Sequence, residues 1–291
     1  MTPSRAILLT GASSGTGLSS GTGRAAALRL HRAGLPVYAT ARNVEALEEL
    51  AAEGVTTMRL DVTDEKSMIE AVERITAEHG AVGTLINNAA YSLNGTIGET
   101  PMEEVRRQFE TNVFGLSRLT QLVLPGMREQ GAGRIVLMSS IFGQFATPGR
   151  GYYQATKHAL EAIGDSLRHE VAGAGIKVVL IEPSPILGGF VPTSMADLGM
   201  TEEQNAGVYR DFWEYFVDWH EAYRDTPRPS GRGRIAVRAD AVAKVIERAA
   251  TAPNPRIRYR IGMPSRLLPR MRWTMGDRFF ERFVRLFFPI P

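Results

Sequence analysis

Tyr153 and Lys157 stand four residues apart in Tyr153-Gln154-Ala155-Thr156-Lys157, and Ser140 precedes the tyrosine by thirteen positions. If this segment is helical, the two side chains share one face and can reach into one cleft. A phenol ordinarily titrates near 10, and bringing it to about 7 for acid–base work takes roughly 4 kcal/mol of extra stabilisation of the phenolate. A neighbouring ammonium supplies part of that. Tyr152 lacks the spacing to Lys157. Lysine occurs only at 66, 157, 177 and 244, so one in a chemically suggestive place stands out. The same pair on an exposed helix would be a plain surface feature, and the rest of the chain decides between the two readings.

Such side chains need a scaffold. Short apolar runs at Ala6–Thr10, Val37–Thr40, Thr56–Leu60, Thr84–Asn87, Arg134–Ser139 and Lys177–Ile181 alternate with longer stretches of helical period, such as Ala25–Ala33 and Met68–Ala77. Strands apolar throughout and joined by helices predict an α/β fold, a doubly wound parallel sheet of Rossmann type, in a single domain spanning 1–291. The pattern breaks after Ile181. Residues 184–233 are rich in Pro, Gly and aromatics and are expected to form loops and a helix pair, a substrate-binding region. Ala239–Ala250 reads as a helix with Asp240 in its first turn, and Ile257–Ile261 as a last edge strand.

The first strand runs into a glycine-rich turn, Thr10-Gly11-Ala12-Ser13-Ser14-Gly15-Thr16-Gly17, and Ser-Ser-Gly-Thr-Gly then repeats at Ser19–Gly23. Glycines let a backbone approach a pyrophosphate, and the following helix N-terminus offers free N–H groups and a positive dipole end. A helix starting after Gly17 would carry two glycines in its first turns, at about 1 kcal/mol each, whereas one starting near Thr22 avoids this. The preferred reading ends the strand at Gly11, opens the helix with Gly21, Thr22 and Gly23, and makes the first copy an enlarged loop. In the other reading Ser14, Gly15 and Gly17 bind the phosphate and the second copy frays.

The second strand ends at Ala41 with Arg42 next, where an acidic residue would grip the ribose 2′-hydroxyl of NAD. A guanidinium suits a 2′-phosphate, which a carboxylate would repel, so NADP(H) is expected. The other reading of Arg42 is a surface charge at a strand end. Leu60-Asp61-Val62-Thr63 and Asn87-Asn88-Ala89-Ala90 follow in order.

Taken together, these motifs resemble the short-chain dehydrogenase/reductase family, in its non-extended branch, over about Ile7 to Pro183. The resemblance implies an NADP(H)-dependent oxidoreductase passing a hydride between the nicotinamide and a carbonyl or secondary alcohol carbon. It implies that Tyr153 is the general acid/base, that Lys157 lowers its pKa and binds the ribose, and that Ser140 holds the substrate oxygen. Asn112, in Thr111-Asn112-Val113, would join a proton relay to Lys157. Asp61 and Val62 would lie beside the adenine, and Asn88, Ala89 and Ile186 would also line the cofactor. The chain departs from the pattern in its duplicated loop, in Ala90 for a glycine, and in Pro183-Ser184-Pro185-Ile186-Leu187-Gly188. There Ser184 replaces a glycine and the expected threonine is missing, with Thr193 or Ser194 as late substitutes. The alternative is a non-catalytic NADP(H)-binding regulator, which would be expected to lose Tyr153 or Lys157. Epimerases and dehydratases on related folds usually carry another glycine spacing and a longer C-terminal domain.

Composition agrees with a soluble globular protein: 291 residues, 44% hydrophobic and 22% charged. Without cysteine there is no disulfide, thiolate metal site or cysteine nucleophile, and histidines 31, 79, 158, 169 and 220 show no metal-ligand spacing, so no metal is expected. Met1–Thr10 has too short an apolar run for a signal peptide, and a cytoplasmic location is expected. Phe142, Phe145, Phe212, Trp213, Tyr215, Phe216 and Trp219 could line a pocket for a bulky apolar substrate or form helix core. From Arg256 to Pro291 nine arginines face only Asp277 and Glu281, a local +7 in a chain of net charge +3. Within this basic tail, 264–291, Phe279, Phe280, Phe283, Val284, Phe287 and Phe288 recur at helical spacing. Such a helix could cover the cleft, pack on another subunit of a homodimer or homotetramer, or touch an anionic membrane peripherally. A small-molecule substrate is expected, and nucleic acid is not.

Overall fold

The apolar runs become seven strands of one parallel sheet in the computed structural model, which describes residues 2–13, 21–187, 207–221 and 235–287. In chain order these are β1 (Ile7–Leu9), α1 (Thr22–Arg32), β2 (Val37–Ala41), α2 (Glu48–Ala52), β3 (Thr56–Arg59), α3 (Glu65–His79) and β4 (Thr84–Asn87). Then come α4 (Met102–Phe109), α5 (Leu116–Glu129), β5 (Gly133–Met138), α6 (Gly151–Glu170), β6 (Ile176–Pro183), α7 (Arg210–Glu221), α8 (Ala239–Thr251), β7 (Arg258–Ile261), α9 (Met263–Met275) and α10 (Asp277–Phe287).

The strands lie in the order β3-β2-β1-β4-β5-β6-β7, with Ile7 opposite both Val37 and Thr84. Side chains alternate between the faces, as the two-residue period of a strand requires. Ile7, Leu9 and Ile86 pack under α1 and α8 through Ala26, Leu30, Val242 and Ile246. Leu8 and Leu85 pack on the other face under α3, α5 and α6 through Ile75, Leu119 and Leu160. Because both faces are covered, the strands could not have been half polar. The order reverses between β1 and β4, and a crevice at such a switch point is where doubly wound sheets bind ligands.

Three features position the site. A π-helical stretch at Glu110–Gly115 joins α4 to α5 and brings Asn112 wholly inside, a bulge of the kind that recurs at functional sites. After β5 the chain turns through a short 3-10 segment, Ile141–Gly143, before α6. The basic tail, expected as one amphipathic helix from Phe279, forms two helices broken at Gly276, whose φ of 73° suits glycine. Of the expected loop and helix pair in 184–233, α7 is described and most of the rest lies outside the described residues, Thr193 and Ser194 included. No helix among the described residues is long and apolar enough to cross a membrane.

Candidate active site

β5 delivers Ser140 just beyond its last residue, in extended conformation, with its Oγ accepting the Phe142 N–H at 3.2 Å. Tyr153 lies in the first turn of α6 and Lys157 one turn on, both buried. The Ser140 hydroxyl is the polar neighbour of the Tyr153 phenol and favours its phenolate form. The Lys157 Nζ sits 5.6 Å from the Tyr153 ring centroid and donates to the Met138 carbonyl at 2.8 Å. Burial pushes Tyr153 up to about 12, against the smaller pull of the Ser140 hydrogen bond and the Arg150 charge. Burial also pushes Lys157 down to about 8, partly offset by the charge of Glu161. In this environment desolvation therefore outweighs the lowering of Tyr153 that the Tyr-Lys spacing predicts.

Asn112 is not bonded to Lys157 among the described residues. Its Nδ2 donates to the Tyr91 carbonyl at 2.9 Å and to Thr156 Oγ1 at 3.2 Å, and its Oδ1 accepts from the Tyr91 N–H at 3.1 Å. Thr156 Oγ1 in turn donates to the Tyr153 carbonyl at 2.7 Å. Asn112 thus meets α6 through the turn that carries the tyrosine and the lysine.

Two residues at this site were not picked out from the sequence. Glu161, four residues beyond Lys157, is buried, and its Oε2 accepts from Arg258 Nε at 3.0 Å. Burial first, and the charge of Glu182 next, push it up to about 7. Arg258 also reaches Glu182 at 3.0 Å and Asp165 at 2.6 Å, and Arg260 reaches Glu182 at 2.9 Å. The signal was in the chain: Tyr153, Lys157 and Glu161 repeat the spacing of one helical turn. Arg150 had no such signal. It is buried with its guanidinium 5.2 Å from the Phe142 ring centroid and 5.1 Å from that of Phe216, a cation–π sandwich at the start of α6.

At the switch point, Thr10 and Asn88 latch β1 to β4. Thr10 Oγ1 accepts the N–H groups of Asn88 and Ala89 at 3.1 and 3.0 Å, and Asn88 Nδ2 donates to the Thr10 and Gly11 carbonyls at 3.0 and 2.9 Å. Gly11 has φ 70°, and a Cβ there would lie 2.8 Å from Ala89 Cα. A Cβ at Gly23 would collide with the Gly11 carbonyl. α1 begins at Thr22 after Gly21, so the helix terminus facing the crevice comes from the second copy of the repeat. Ser14, Gly15 and Gly17 lie outside the described residues.

Among the described residues this N-terminus has no side-chain cap and no acidic residue in its first turn, and the buried Thr22 Oγ1 has no partner. A cradle of free donors on glycine-lined backbone fits a pyrophosphate. Arg42 is exposed at the end of β2, beside the end of β3, where Leu60 N–H bonds the Ala41 carbonyl at 2.9 Å. Asp61 follows there, its Oδ1 accepting from Thr63 N–H and Oγ1 at 2.9 and 2.8 Å, and Val62 is buried. Ile186 is half-buried and bridges to Val237. Ser184, at the missing glycine's place, is buried with its Oγ 2.9 Å from Ser265 Oγ and accepting the Ser265 N–H at 3.1 Å. The hydroxyl thus ties β6 to the first turn of α9.

Beside Ser140 opens a cavity of about 370 Å³ lined by Ile141, Phe142, Phe145, Leu268, Phe280 and other apolar side chains, with no charged residue among them. Tyr153 packs in the same apolar cluster as Phe142, Phe145 and Phe280. Phe212, Trp213 and Phe216 instead form a buried cluster on α7, with Trp219 packed against it and also lining the cavity. Tyr215 lies on the same helix and is half-buried.

The sequence model described as short chain dehydrogenase matches residues 5–198. A 3-ketodihydrosphingosine reductase of Bacteroides thetaiotaomicron is 31% identical over 98% of this chain and 98% of its own. Among solved structures, a short-chain dehydrogenase from Streptomyces avermitilis matches with a TM-score of 0.74 and 30% identity over 98% of each chain. The structure titled ElxO with NADP bound matches with a TM-score of 0.66 and 25% identity, over 89% of this chain and 96% of that one.

Proposed function

From the premise that this chain belongs to the short-chain dehydrogenase family, and is an oxidoreductase, we propose an NADP(H)-dependent reductase of ketones carrying a bulky apolar group. The observation that carries the reading is the Ser140–Tyr153 hydroxyl pair beside a largely apolar, uncharged cavity, with Lys157 one turn beyond the tyrosine on α6.

When bound, the nicotinamide supplies or takes up the hydride. Ser140 holds the substrate oxygen and Tyr153 gives it a proton. A phenol pushed up to about 12 keeps its proton throughout the neutral range, so Tyr153 is in the protonated form that the reduction step starts from. The Lys157 ammonium and the Ser140 hydroxyl stabilise the phenolate left behind, and reversal of the same steps oxidises an alcohol. Phe280 and its apolar neighbours exclude water, so these charges act in a low dielectric. Lys157 also binds the ribose, and Gly11 and Gly21–Gly23 carry the pyrophosphate. Arg42 takes the 2′-phosphate, a reading supported by the NADP-bound neighbour. The cavity wall supports an apolar substrate, and the relative named for 3-ketodihydrosphingosine supports a ketone.

The test is a panel of ketones of increasing apolar bulk, assayed by nicotinamide absorbance with NADPH and NADH. NADPH should be consumed, fastest with bulky ketones, and Arg42→Asp should reverse the ratio of kcat/KM for the two cofactors. Cofactor binding without turnover across the panel would favour a regulator. An unchanged ratio would remove Arg42 as the reader.

A further inference from the structure

Along β7, between α8 and α9, runs an open cleft of about 800 Å³ whose wall includes Arg248, Arg256, Arg258, Arg260, Arg266 and Arg270 and no carboxylate. Arg258 and Arg260 are neutralised from below by Glu161, Asp165 and Glu182. Among the described residues Arg266 reaches only the Arg260 carbonyl, at 3.4 Å. The guanidinium groups of Arg248, Arg256 and Arg270 have no ion pair or hydrogen bond among the described residues. A row of unpaired cations facing open solvent is complementary to a surface of phosphates.

α9, which borders this cleft, and α10, which follows it, expose large apolar side chains. α9 contains no acidic residue; its Trp273 is 87% exposed, whereas the part-exposed Met263 and Leu267 stand at the mouth of the apolar cavity. On α10, Phe279 and Leu286 are exposed, Leu286 at 81%, next to Arg278 and Arg282. Exposed aromatic and aliphatic groups interleaved with arginines suit the boundary between headgroups and acyl chains. The inner side of α10, through Phe280, Phe283 and Val284, closes the apolar cavity beside Tyr153. The exposed patch is therefore the outside of the cavity's own wall.

We propose that the β7 edge, α9 and α10 form a docking surface for an anionic phospholipid bilayer, on which the protein lies without crossing it. Phosphates occupy the arginine cleft while Trp273, Phe279 and Leu286 enter the interface. An apolar molecule could then pass from lipid to the cavity without crossing bulk water. A second copy seated two-fold on this face would bring two arginine-rich patches together, a like-charge contact. Nucleic acid would use the arginines but leave the apolar side chains without a partner.

The test is co-sedimentation of the full chain with vesicles of phosphatidylcholine alone or mixed with phosphatidylglycerol, while Trp273 emission is followed. Binding should require phosphatidylglycerol, weaken with added salt, and shift Trp273 emission to the blue, a shift missing in Trp273→Phe. Arg256→Glu with Arg270→Glu, and Trp273→Ser with Leu286→Ser, should each weaken binding about tenfold or more with unchanged thermal unfolding. Inorganic phosphate should compete no better than chloride at equal ionic strength. Equal binding to both vesicles, or to neither, would overturn the proposal. So would displacement by inorganic phosphate, which would make the cleft a small-anion site, or charge-reversed variants that change oligomer size but not vesicle binding. These readouts do not depend on turnover, so they stand or fall apart from the reductase reading.

Discussion

Burial drives three titratable groups spaced one turn apart on α6 toward their neutral forms: Tyr153 up to about 12, Lys157 down to about 8, Glu161 up to about 7. For Lys157 the unfolded chain, with its lysine near 10.5, binds more protons than the folded chain between pH 8 and 10.5. This residue's contribution to stability therefore rises with pH across that window. In Lys157→Met the rise should vanish, and at pH 7 the variant should be more stable by on the order of 2 kcal/mol while losing turnover. Urea unfolding at several pH values checks this, and a slope equal to that of the unaltered protein would refute it. Tyr153→Phe should lower kcat by about 10²-fold to 10⁴-fold and leave NADPH affinity within a few fold by calorimetry. A normal kcat would sink the acid role.

At the scale of elements, the hydroxyl of Ser184 joins the end of β6 to the first turn of α9. The family pattern that the motifs resemble has glycine there, and in this chain the serine hydroxyl is what reaches α9. Ser184→Gly removes both contacts and leaves the buried Ser265 with fewer partners, which should destabilise by about 1 to 3 kcal/mol. Hydrogen exchange should quicken over 263–287 while the strands stay protected. Unchanged exchange would mean that packing alone holds α9.

For the whole molecule, the tail is the outer wall of the cavity. Truncation after Met275 removes Phe280, Phe283 and Val284 and lets water reach Tyr153. With desolvation relieved, the tyrosine should fall from about 12 toward its ordinary 10, so any alkaline limb of kcat should move to lower pH. KM for bulky apolar ketones should rise, while small ketones are less affected. If KM, solubility and the pH profile all matched the full chain, α10 would not be a cover.

Periodicity and spacing are local properties, and they carried far: the apolar runs lie within a residue or two of the strands, and Ala239–Thr251 is a helix. The start of α1 at Thr22 was legible because glycines disfavour a helix interior. Tyr153 and Lys157 were legible because four residues make nearly one turn. What only the tertiary structure decided were quantities set by partners far along the chain. Lys157 meets Met138, Asn112 meets Tyr91, Ser184 meets Ser265, and Glu161 meets Arg258. The direction of the Tyr153 shift belongs with these. The spacing to Lys157 predicts a lowered pKa, whereas the water excluded by Phe142, Phe145 and Phe280 raises it, because desolvation depends on every element packed around the phenol.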